Sequence, residues 1–320
     1  MVIKRNTLII NFIYKKIEEV ELTVKTGNVI LKKSKGIENP ITGYLFILPQ
    51  LLLFIVFILY PIFEGFKMSL FRSTYAEEIF VGLENYKELF QDPVFMKSML
   101  NTILFVIGIV FLTIIFGLFV ATTVYDKNPK YISFIRGSYY LPVMVSMVVM
   151  SMVWNFLLNP ANGLITYLFN EIGIKNVSLL GNTKIVMYTI IFVTFVGNVG
   201  QSIILYIAAM IGIPSDYFEA AEIDGASRWQ RITKILIPLV KPTTLYLTVI
   251  NIIAVLKIFV VIQLLTGGGP NNASVTMMYY LYQNAFVYNN RGVAAAVGVL
   301  MFIFAVLLSI PQFKAFGDKK

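Results

Sequence analysis

The sequence predicts an all-α, multi-pass membrane protein with six transmembrane helices. Hydrophobic residues make up 58% of the 320-residue chain and charged residues only 13%, whereas charged residues form about a quarter of an ordinary soluble domain. The mean hydropathy is +0.77. Apolar runs that approach or exceed the ~20 residues needed to cross a bilayer recur six times. The chain is therefore too apolar for a soluble fold.

Two regions follow one another along the chain. Residues 1–42 are rich in Lys and Arg around an apolar patch that is too short to span a bilayer, so we expect a cytoplasmic tail without a cleavable signal peptide. Residues 43–316 form the transmembrane domain. The first span contains Pro49 and Pro61, which transmembrane helices tolerate better than soluble helices do. The predicted spans are 43–66, 101–125, 137–158, 185–212, 243–266 and 293–310.

Positive charges orient these spans. If the N terminus is cytoplasmic, most of the 26 Lys and Arg residues fall on the cytoplasmic side, and Lys257 alone lies inside a span. Cytoplasmic loops carry the excess of Lys and Arg in membrane proteins. We therefore expect a multi-pass protein of the cell membrane with both termini and the polar 213–238 loop in the cytoplasm. The orientation of the spans therefore accounts for the net charge of +9, and we predict no nucleic-acid partner.

Composition excludes several functional classes. The chain has no Cys and no His, which removes disulfides, Cys or His metal ligands and His-based acid–base chemistry. No cluster of carboxylate, Lys, Ser or Tyr groups forms a catalytic constellation. The spans lack Asp and Glu apart from Glu64 near the end of the first span, which disfavours an ion-coupled secondary transporter. We predict no catalytic residue, metal or cofactor in this chain.

The 213–238 loop is the long polar segment between two apolar runs, and it begins with a predicted short helix. Pro214 interrupts the preceding apolar run, and Asp216 can cap the helix, with Glu219 three residues later reaching back to the cap. Ala220 and Ala221 give this helix a small surface. Such a helix can enter a narrow groove, which implies a partner protein.

A second helix is predicted in the same loop. Gly225 supplies the break, and Ser227 offers a second cap paired with Gln230. Pro238 and Pro242 end the segment because proline lacks the backbone N–H of a regular helix. We expect the loop to form a helix, a tight turn and a second helix between two spans.

Lys257 is the clearest polar group inside a predicted span. It lies nine residues before Thr266, about 13 Å along a helix, which places it near mid-depth. Either it faces a water-filled cavity and a polar solute, or a partner such as Glu64 or a helix carbonyl neutralises it. Ionisable groups at this depth are expensive and mark functional sites by default.

Three amides lie in the fourth and fifth spans. Asn198 and Gln201 are three residues apart and share a helix face. Asn251 lies six residues from Lys257, so the two point about 120° apart on a regular helix. Each amide can bind solute hydroxyls or join neighbouring helices by hydrogen bonds, and the second role is the commoner for a single residue.

The loop resembles the EAA loop of the membrane subunits of binding-protein-dependent ABC importers. The matching residues are Glu219, Ala220, Ala221, Gly225, Ile235 and Pro238, and Ile237 stands where the family pattern has Leu. The resemblance implies a type I ABC importer permease fold. It also implies that residues 213–238 form a coupling loop that docks on a separate ATPase, with ATP and Mg bound there. Its coupling residues would be Glu219, Ala220, Ala221, Asp224 and Gly225.

Other segments resemble the sugar-permease branch of this family. They are VGLENYKELFQDPVF after the first span, the third-span region that begins at Arg136, and IQLLTGGGP followed by Thr276, Tyr282, Ala285 and Phe286. The chain lacks the very large outer loop of the maltose permease. The loop with three glycines is expected outside the cell, where a binding protein can sit. It lacks the Lys-Ser or Lys-Thr of a phosphate-binding loop.

The resemblance to maltose-type permeases implies substrate contacts from the fourth and fifth spans. Aligned through the two loops, the implied positions are Gly197, Asn198, Gln201, Asn251, Val255, Lys257 and Ile258. Several differ in type from the maltose system, so maltose itself is not expected. Lys257 hints at an acidic solute.

Together these features predict the pore-forming permease subunit of an ATP-driven importer for an oligosaccharide, polyol or sugar phosphate. The family implies a second, non-identical permease, two ATP-binding subunits and an extracytoplasmic solute-binding protein. The alternatives are an ABC permease for a non-sugar solute such as an amino acid, and an ion-coupled secondary transporter.

Overall fold

The computed structural model describes residues 40–73, 78–174 and 177–316. The predicted basic tail, 1–42, lies almost wholly outside these residues and stays a prediction. In the described part, helices account for nearly all regular structure, and one short antiparallel hairpin pairs Phe71 with Phe80. The all-α prediction is confirmed.

The elements follow one another in this order. The α-helices are α1 Pro40–Phe54, α2 Tyr60–Met68, α3 Glu84–Gln91, α4 Pro93–Val124, α5 Pro129–Met144, α6 Met147–Leu157, α7 Leu164–Glu171, α8 Val186–Ile211, α9 Asp216–Ile223, α10 Arg228–Arg231, α11 Ile237–Leu239, α12 Lys241–Leu256, α13 Val260–Leu265, α14 Met277–Tyr282 and α15 Arg291–Phe316. The π-helical segments are π1 Ile55–Leu59, π2 Ile232–Leu236 and π3 Gln283–Val287, and the strands are β1 Phe71–Ser73 and β2 Glu78–Phe80.

Among the described residues, four helical stretches are each long and apolar enough to cross a membrane. They are Tyr44–Met68, Pro93–Val124, Val186–Ile211 and Arg291–Ile310. Two bent pairs of helices, α5 with α6 and Arg228–Leu239 with α12, raise the number to six if each pair forms one span. Six spans therefore require two spans that are not straight helices.

The predicted third span, 137–158, is sharply bent. Helices α5 and α6 meet at an angle of 91°, and α5 ends two residues after Pro142. Proline removes one backbone donor, and the Ser146 hydroxyl then accepts from the Val148 N–H at 3.3 Å and starts a new helix. The third predicted span is therefore formed by two helices, because side-chain capping redirects the backbone between them.

The predicted fifth span, 243–266, is also interrupted. Helix α12 ends at Leu256, Lys257 is its C-cap, and α13 begins only at Val260. The β-branched and aromatic residues that follow Lys257 have weak helix propensity. The calculated depth and direction of Lys257 assumed an unbroken helix, and that assumption was wrong.

Two π-helical segments precede prolines at the same spacing. Segment π1 ends at Leu59, two residues before Pro61, and π2 ends at Leu236, two residues before Pro238. A wider turn moves the carbonyl that the proline ring would otherwise strike, so the helix continues through the proline. The helix passes Pro238 but ends at Leu239, and a new helix bent by 60° begins at Lys241 with Pro242 in its first turn. The expectation that the segment ends at these two prolines is confirmed. The prediction that the first span tolerates its prolines is confirmed.

The chain divides into two units, residues 1–61 and 62–320. In the first unit, the large apolar side chains from Tyr44 to Tyr60 are mostly exposed, as expected of a helix that meets lipid or another protein. In the second unit, α4 and α8 form the central pair. Their buried residues divide between two apolar clusters, one including Phe105 and Ile190 and the other including Val120 and Tyr206.

Glycine permits the closest helix crossing. Gly200 of α8 lies against the backbone of Tyr139 on α5, where a Cβ atom would overlap the Tyr139 carbonyl oxygen and lie 2.8 Å from its carbonyl carbon. Small residues let transmembrane helices approach to this distance. The crossing sets the position of the neighbouring Gln201.

Asn85 joins the hairpin region to α3. Its side chain is fully buried, and Nδ2 donates to the carbonyl oxygens of Ser69 at 2.8 Å and Phe71 at 3.0 Å. The adjacent Tyr86 hydroxyl donates to Ser69 Oγ at 2.7 Å. The Asn-Tyr pair of the GLENY sequence therefore has a structural role.

The N-terminal end of α4 binds the 266–277 loop. Lys97 donates to the Asn271 carbonyl at 2.9 Å, and Asn101 donates to the Val275 carbonyl at 2.9 Å. Asp92, the N-cap of α4, accepts from the Tyr280 hydroxyl at 2.6 Å. Burial, and then this hydrogen bond, raise the pKa of Tyr280, so the phenol stays protonated and donates. These contacts tie the loop to the start of α4.

Candidate functional site

The 213–238 loop forms the two helices expected of it, but the first cap differs from the prediction. Helix α9 has Ser215 as its N-cap, without a side-chain hydrogen bond. Asp216 and Glu219 lie in the first turn instead, where their charges favour the positive end of the helix dipole. The prediction that Asp216 caps the helix was wrong because the helix begins one residue earlier than the capping pattern suggested.

Gly225 ends α9 in a Schellman motif. Its φ is +74°, a conformation that glycine adopts without steric cost. The Ala226 N–H donates to the Ala221 carbonyl at 2.8 Å, and the Gly225 N–H donates to the Glu222 carbonyl at 3.0 Å, which is the paired pattern of this motif. No atom lies within 4 Å of a Cβ placed on Gly225. The predicted break at Gly225 is confirmed, and its cause is backbone conformation.

The second predicted cap is present in full. Ser227 Oγ accepts from the Gln230 N–H at 3.3 Å, and the Gln230 side chain accepts from the Ser227 N–H at 2.8 Å. This capping box confirms the predicted second helix.

Arg228 ties this second helix to the end of α4. Its Nη2 donates to the Thr123 carbonyl at 3.3 Å and to Asp126 Oδ1 at 3.2 Å. A cation at the C-terminal end of a helix satisfies carbonyls that have no partner within the helix. On the other side of the loop, Arg231 pairs with Glu222 at 3.2 Å. The loop is thus joined both to itself and to a central transmembrane helix.

The loop presents apolar side chains to its surroundings. Ile223 is 88% exposed, Trp229 71% and Tyr217 54%, while Phe218 packs on Tyr125 with ring centroids 5.7 Å apart. Glu219 and Ala220 are exposed between them. Aromatic and aliphatic residues exposed on a charged loop are typical of a protein interface.

Four residues of the implied substrate pathway are buried or hydrogen-bonded within this chain. Gly197 and Val255 are buried. Asn198 donates to the Thr194 carbonyl at 2.8 Å, and Asn251 donates to the Leu247 carbonyl at 2.8 Å and lies 3.4 Å from Ser202 Oγ. Both side-chain amides donate a hydrogen bond to a carbonyl of their own helix, and Asn251 also joins α12 to α8.

Two members of the set are exposed. Gln201 on α8 and Lys257 at the end of α12 are both exposed in this chain, and Ile258 is half-buried. The suggested counter-charge of Lys257 is engaged elsewhere, because Glu64 Oε2 lies 3.7 Å from Lys67 Nζ. None of the four ion pairs among the described residues includes Lys257. The structure therefore brings Gln201 and Lys257 to open surface, whereas Gly197 and Val255 are buried.

Sequence reasoning missed two residues. Arg228 was counted only as a positive charge, although its place directly after a cap could have indicated a contact with a helix end. Asn155 of α6 donates to the Leu264 carbonyl at 2.9 Å and so joins the two bent spans. A single amide in an apolar run was the signal for it. In the described residues, no group of three or more His, Cys, Asp and Glu could hold a metal ion.

The family model "binding-protein-dependent transport system inner membrane component" matches residues 113–313. The chain belongs to this family. The chain is similar to "Probable ABC transporter permease protein YurN" of Bacillus subtilis, which is 35% identical over 88% of this chain and 98% of its own length. The "sn-glycerol-3-phosphate transport system permease protein UgpA" of Agrobacterium fabrum is 30% identical over 88% and 96%. The "Arabinooligosaccharides transport system permease protein AraP" of Bacillus subtilis is 29% identical over 87% and 89%.

A chain of a solved ABC transporter shares the fold. One chain of a bacterial ABC transporter "involved in the import of the acidic polysaccharide alginate" superposes with a TM-score of 0.75 at 24% identity, over 87% of this chain and 96% of that chain. The predicted type I ABC permease fold is confirmed. Membership in the permease family makes this chain the membrane component of a transport system and not an enzyme.

Proposed function

We propose that this chain is one permease subunit of an ATP-driven, binding-protein-dependent importer for an oligosaccharide, polyol or sugar phosphate. The observation that carries the proposal is the 213–238 loop, a short exposed helix closed by a Schellman turn and joined by Arg228 to α4. The carbohydrate class is supported by the names of relatives, which transport sn-glycerol-3-phosphate and arabinooligosaccharides.

The loop is proposed to dock on a separate ATPase that binds ATP and Mg. Glu219 supplies a charged contact, Ala220 and Ala221 permit a close fit, and Asp224 and Gly225 end the helix at the partner surface. The exposed apolar side chains of the loop add area that a partner would bury. Movement of the ATPases would displace α9, and the arginine contact would carry that displacement to α4.

The substrate pathway is proposed to lie between this chain and a second, non-identical permease. Gln201 and Lys257 would line it directly, because both are exposed here. Gly197, Asn198 and Asn251 would fix the positions of the helices that carry them, with Val255 and Ile258 packed behind. An extracytoplasmic solute-binding protein would deliver the solute, and both chain termini would be cytoplasmic.

Reconstitution tests the importer function. The complex of this chain, the second permease, two ATPases and the binding protein is placed in liposomes, and ATP hydrolysis is measured with a panel of sugars. Stimulation by one sugar class, together with uptake that requires both ATP and the binding protein, is the expected result. Uptake driven by an ion gradient without ATP would overturn the proposal.

Three substitutions at Gly225 test the docking role of the loop. Asn and Asp both tolerate the left-handed conformation better than other non-glycine residues do, and the site has open space. We expect Gly225→Asn to retain most uptake and Gly225→Asp to abolish it, because only Asp brings a charge to the partner surface. Both variants should insert in the membrane normally. Equal uptake by the Asn and Asp variants would contradict docking at this position, and Gly225→Ala measures the backbone effect alone.

A further inference from the structure

Lys257 occupies an unusual place in the fifth span. It follows α12 directly, ~24 Å along the helix from Lys241, which is most of the thickness of a hydrocarbon core of about 30 Å. Tyr246, Ile253 and Lys257 are exposed at spacings of seven and four residues, which places them along one face of α12. One uncovered face of this helix therefore runs from an aromatic ring to an ammonium group.

The ammonium has no counter-charge in the described part of the chain. Glu64, the carboxylate predicted as a partner, is paired with Lys67. The other ion pairs of the described residues join Arg72 to Glu88, Arg228 to Asp126 and Arg231 to Glu222. Lys257 therefore enters the membrane region with its charge uncompensated by these groups.

Nearby helix carbonyls are also occupied. The Ala254 carbonyl accepts from the backbone N–H of Lys257 at 3.2 Å, and the Val255 carbonyl accepts from Ile258 N–H at 3.1 Å. The last carbonyls of α12 already accept backbone hydrogen bonds, so they depend less on the Lys257 ammonium as a donor. A charged side chain inside a span faces a water-filled cavity or a partner, because exposure to lipid is costly.

Gln201 provides a second polar group on the adjacent helix. Asn251 on α12 lies 3.4 Å from Ser202 Oγ on α8, so the two helices meet one residue from Gln201 and six residues before Lys257. The exposed amide can bind hydroxyl groups, and the exposed ammonium can bind an anionic oxygen. An ammonium on α12 and an amide on the contacting helix α8 suit a solute that carries both kinds of group.

We propose that Lys257 selects for an anionic carbohydrate, one that carries a carboxylate or a phosphate, as the solute of this importer. The inference rests on the proposed function and narrows its substrate class. The ammonium would replace water around the anionic group as the solute passes the break between α12 and α13. Neutral sugars of the same size would pass less readily, because they leave the ammonium without a partner.

The test uses the full complex in proteoliposomes with an oligogalacturonide, a hexose 6-phosphate and neutral maltotriose as probes. Uptake of each probe is measured for the wild type, Lys257→Gln and Lys257→Arg. The two anionic probes distinguish carboxylate from phosphate. Lys87→Gln is the matched control, because Lys87 is an exposed lysine of α3 outside the predicted spans.

We expect the wild type to take up at least one anionic probe, and Lys257→Gln to lower that rate at least tenfold. Lys257→Arg should retain most of the rate, and Lys87→Gln should leave it unchanged. The ratio of anionic to neutral uptake should fall in Lys257→Gln. A purely structural role would lower both rates together and leave the ratio unchanged.

Three outcomes overturn the inference. They are ATP-dependent uptake of the neutral sugar alone, an anionic rate unaffected by Lys257→Gln, and an unchanged ratio in that variant. Each leaves the importer function intact. If no probe is taken up and ATP hydrolysis responds to none of them, the proposed carbohydrate function fails as well, so the two failures are distinguishable.

Discussion

Replacement of Gly200 by Ala should weaken the crossing of α5 and α8, whereas the same change at Gly197 should not. At Gly200 the new Cβ would overlap the Tyr139 carbonyl oxygen and lie 2.8 Å from its carbonyl carbon, where ordinary contact begins at 3.4 Å. The overlapping oxygen sets the required movement, and the two backbones would have to separate by at least about 1 Å because a carbonyl group in a helix cannot rotate away. At Gly197 the nearest atom is Met147 Cε at 3.8 Å.

The magnitudes follow from two opposing effects. Ala stabilises a helix by about 1 kcal/mol over Gly, and overpacking costs about 1–3 kcal/mol. Gly197→Ala should gain the helix stabilisation without the overpacking cost. The two variants should therefore differ by about 1–3 kcal/mol in the free energy of unfolding. The assay is the apparent Tm of the purified complex in detergent, followed by loss of the intact complex on size exclusion. We expect Gly200→Ala to melt several degrees below Gly197→Ala, and equal Tm values would refute the close crossing.

Three further predictions concern hydrogen bonds described above. Arg228→Gln should cost less than about 1 kcal/mol of stability because the side chain is 46% exposed, yet it should raise the ATP hydrolysed per solute transported; an unchanged ratio would show that the contact carries no coupling. Ser227→Ala should cost about 1 kcal/mol through loss of the cap and speed protease cleavage of the loop, whereas Ser227→Asn should not; equal cleavage would contradict the cap. Asn85→Leu leaves the buried Ser69 carbonyl and the partly buried Phe71 carbonyl without this donor; an unpaired buried carbonyl costs about 1–3 kcal/mol, so the Tm should fall. Replacement of the exposed neighbour, Glu84→Ala, should leave the Tm unchanged, and equal Tm values in the two variants would contradict the network.

Local sequence rules predicted much of the 213–238 loop. Gly225 and the Ser227–Gln230 pair act through backbone conformation and hydrogen bonds between residues close in sequence, so their geometry follows from residue type and spacing. The first cap was misplaced by one residue because both Ser215 and Asp216 are acceptable near a helix start. The apolar runs located the spans for a similar reason, since bilayer thickness fixes their length.

The bends and the pathway depend on contacts that are distant in sequence. The break after Lys257 and the crossing at Gly200 bring together segments whose partners no local pattern specifies. Asn198 and Asn251 looked equivalent to Gln201 in the sequence, and only packing separates the amides that bind their own helices from the one that is exposed. Side-chain direction in a bent span cannot be calculated from a regular helical repeat.

Helix α4 is held at both of its ends. At one end Lys97 and Asn101 bind carbonyls of the 266–277 loop, and at the other Arg228 binds the last turn. A 32-residue α-helix is about 48 Å long and resists compression, since every turn is hydrogen-bonded. A shift along its axis at one loop therefore reaches the other loop almost undiminished, so the two faces of the membrane share a single mechanical element within one subunit.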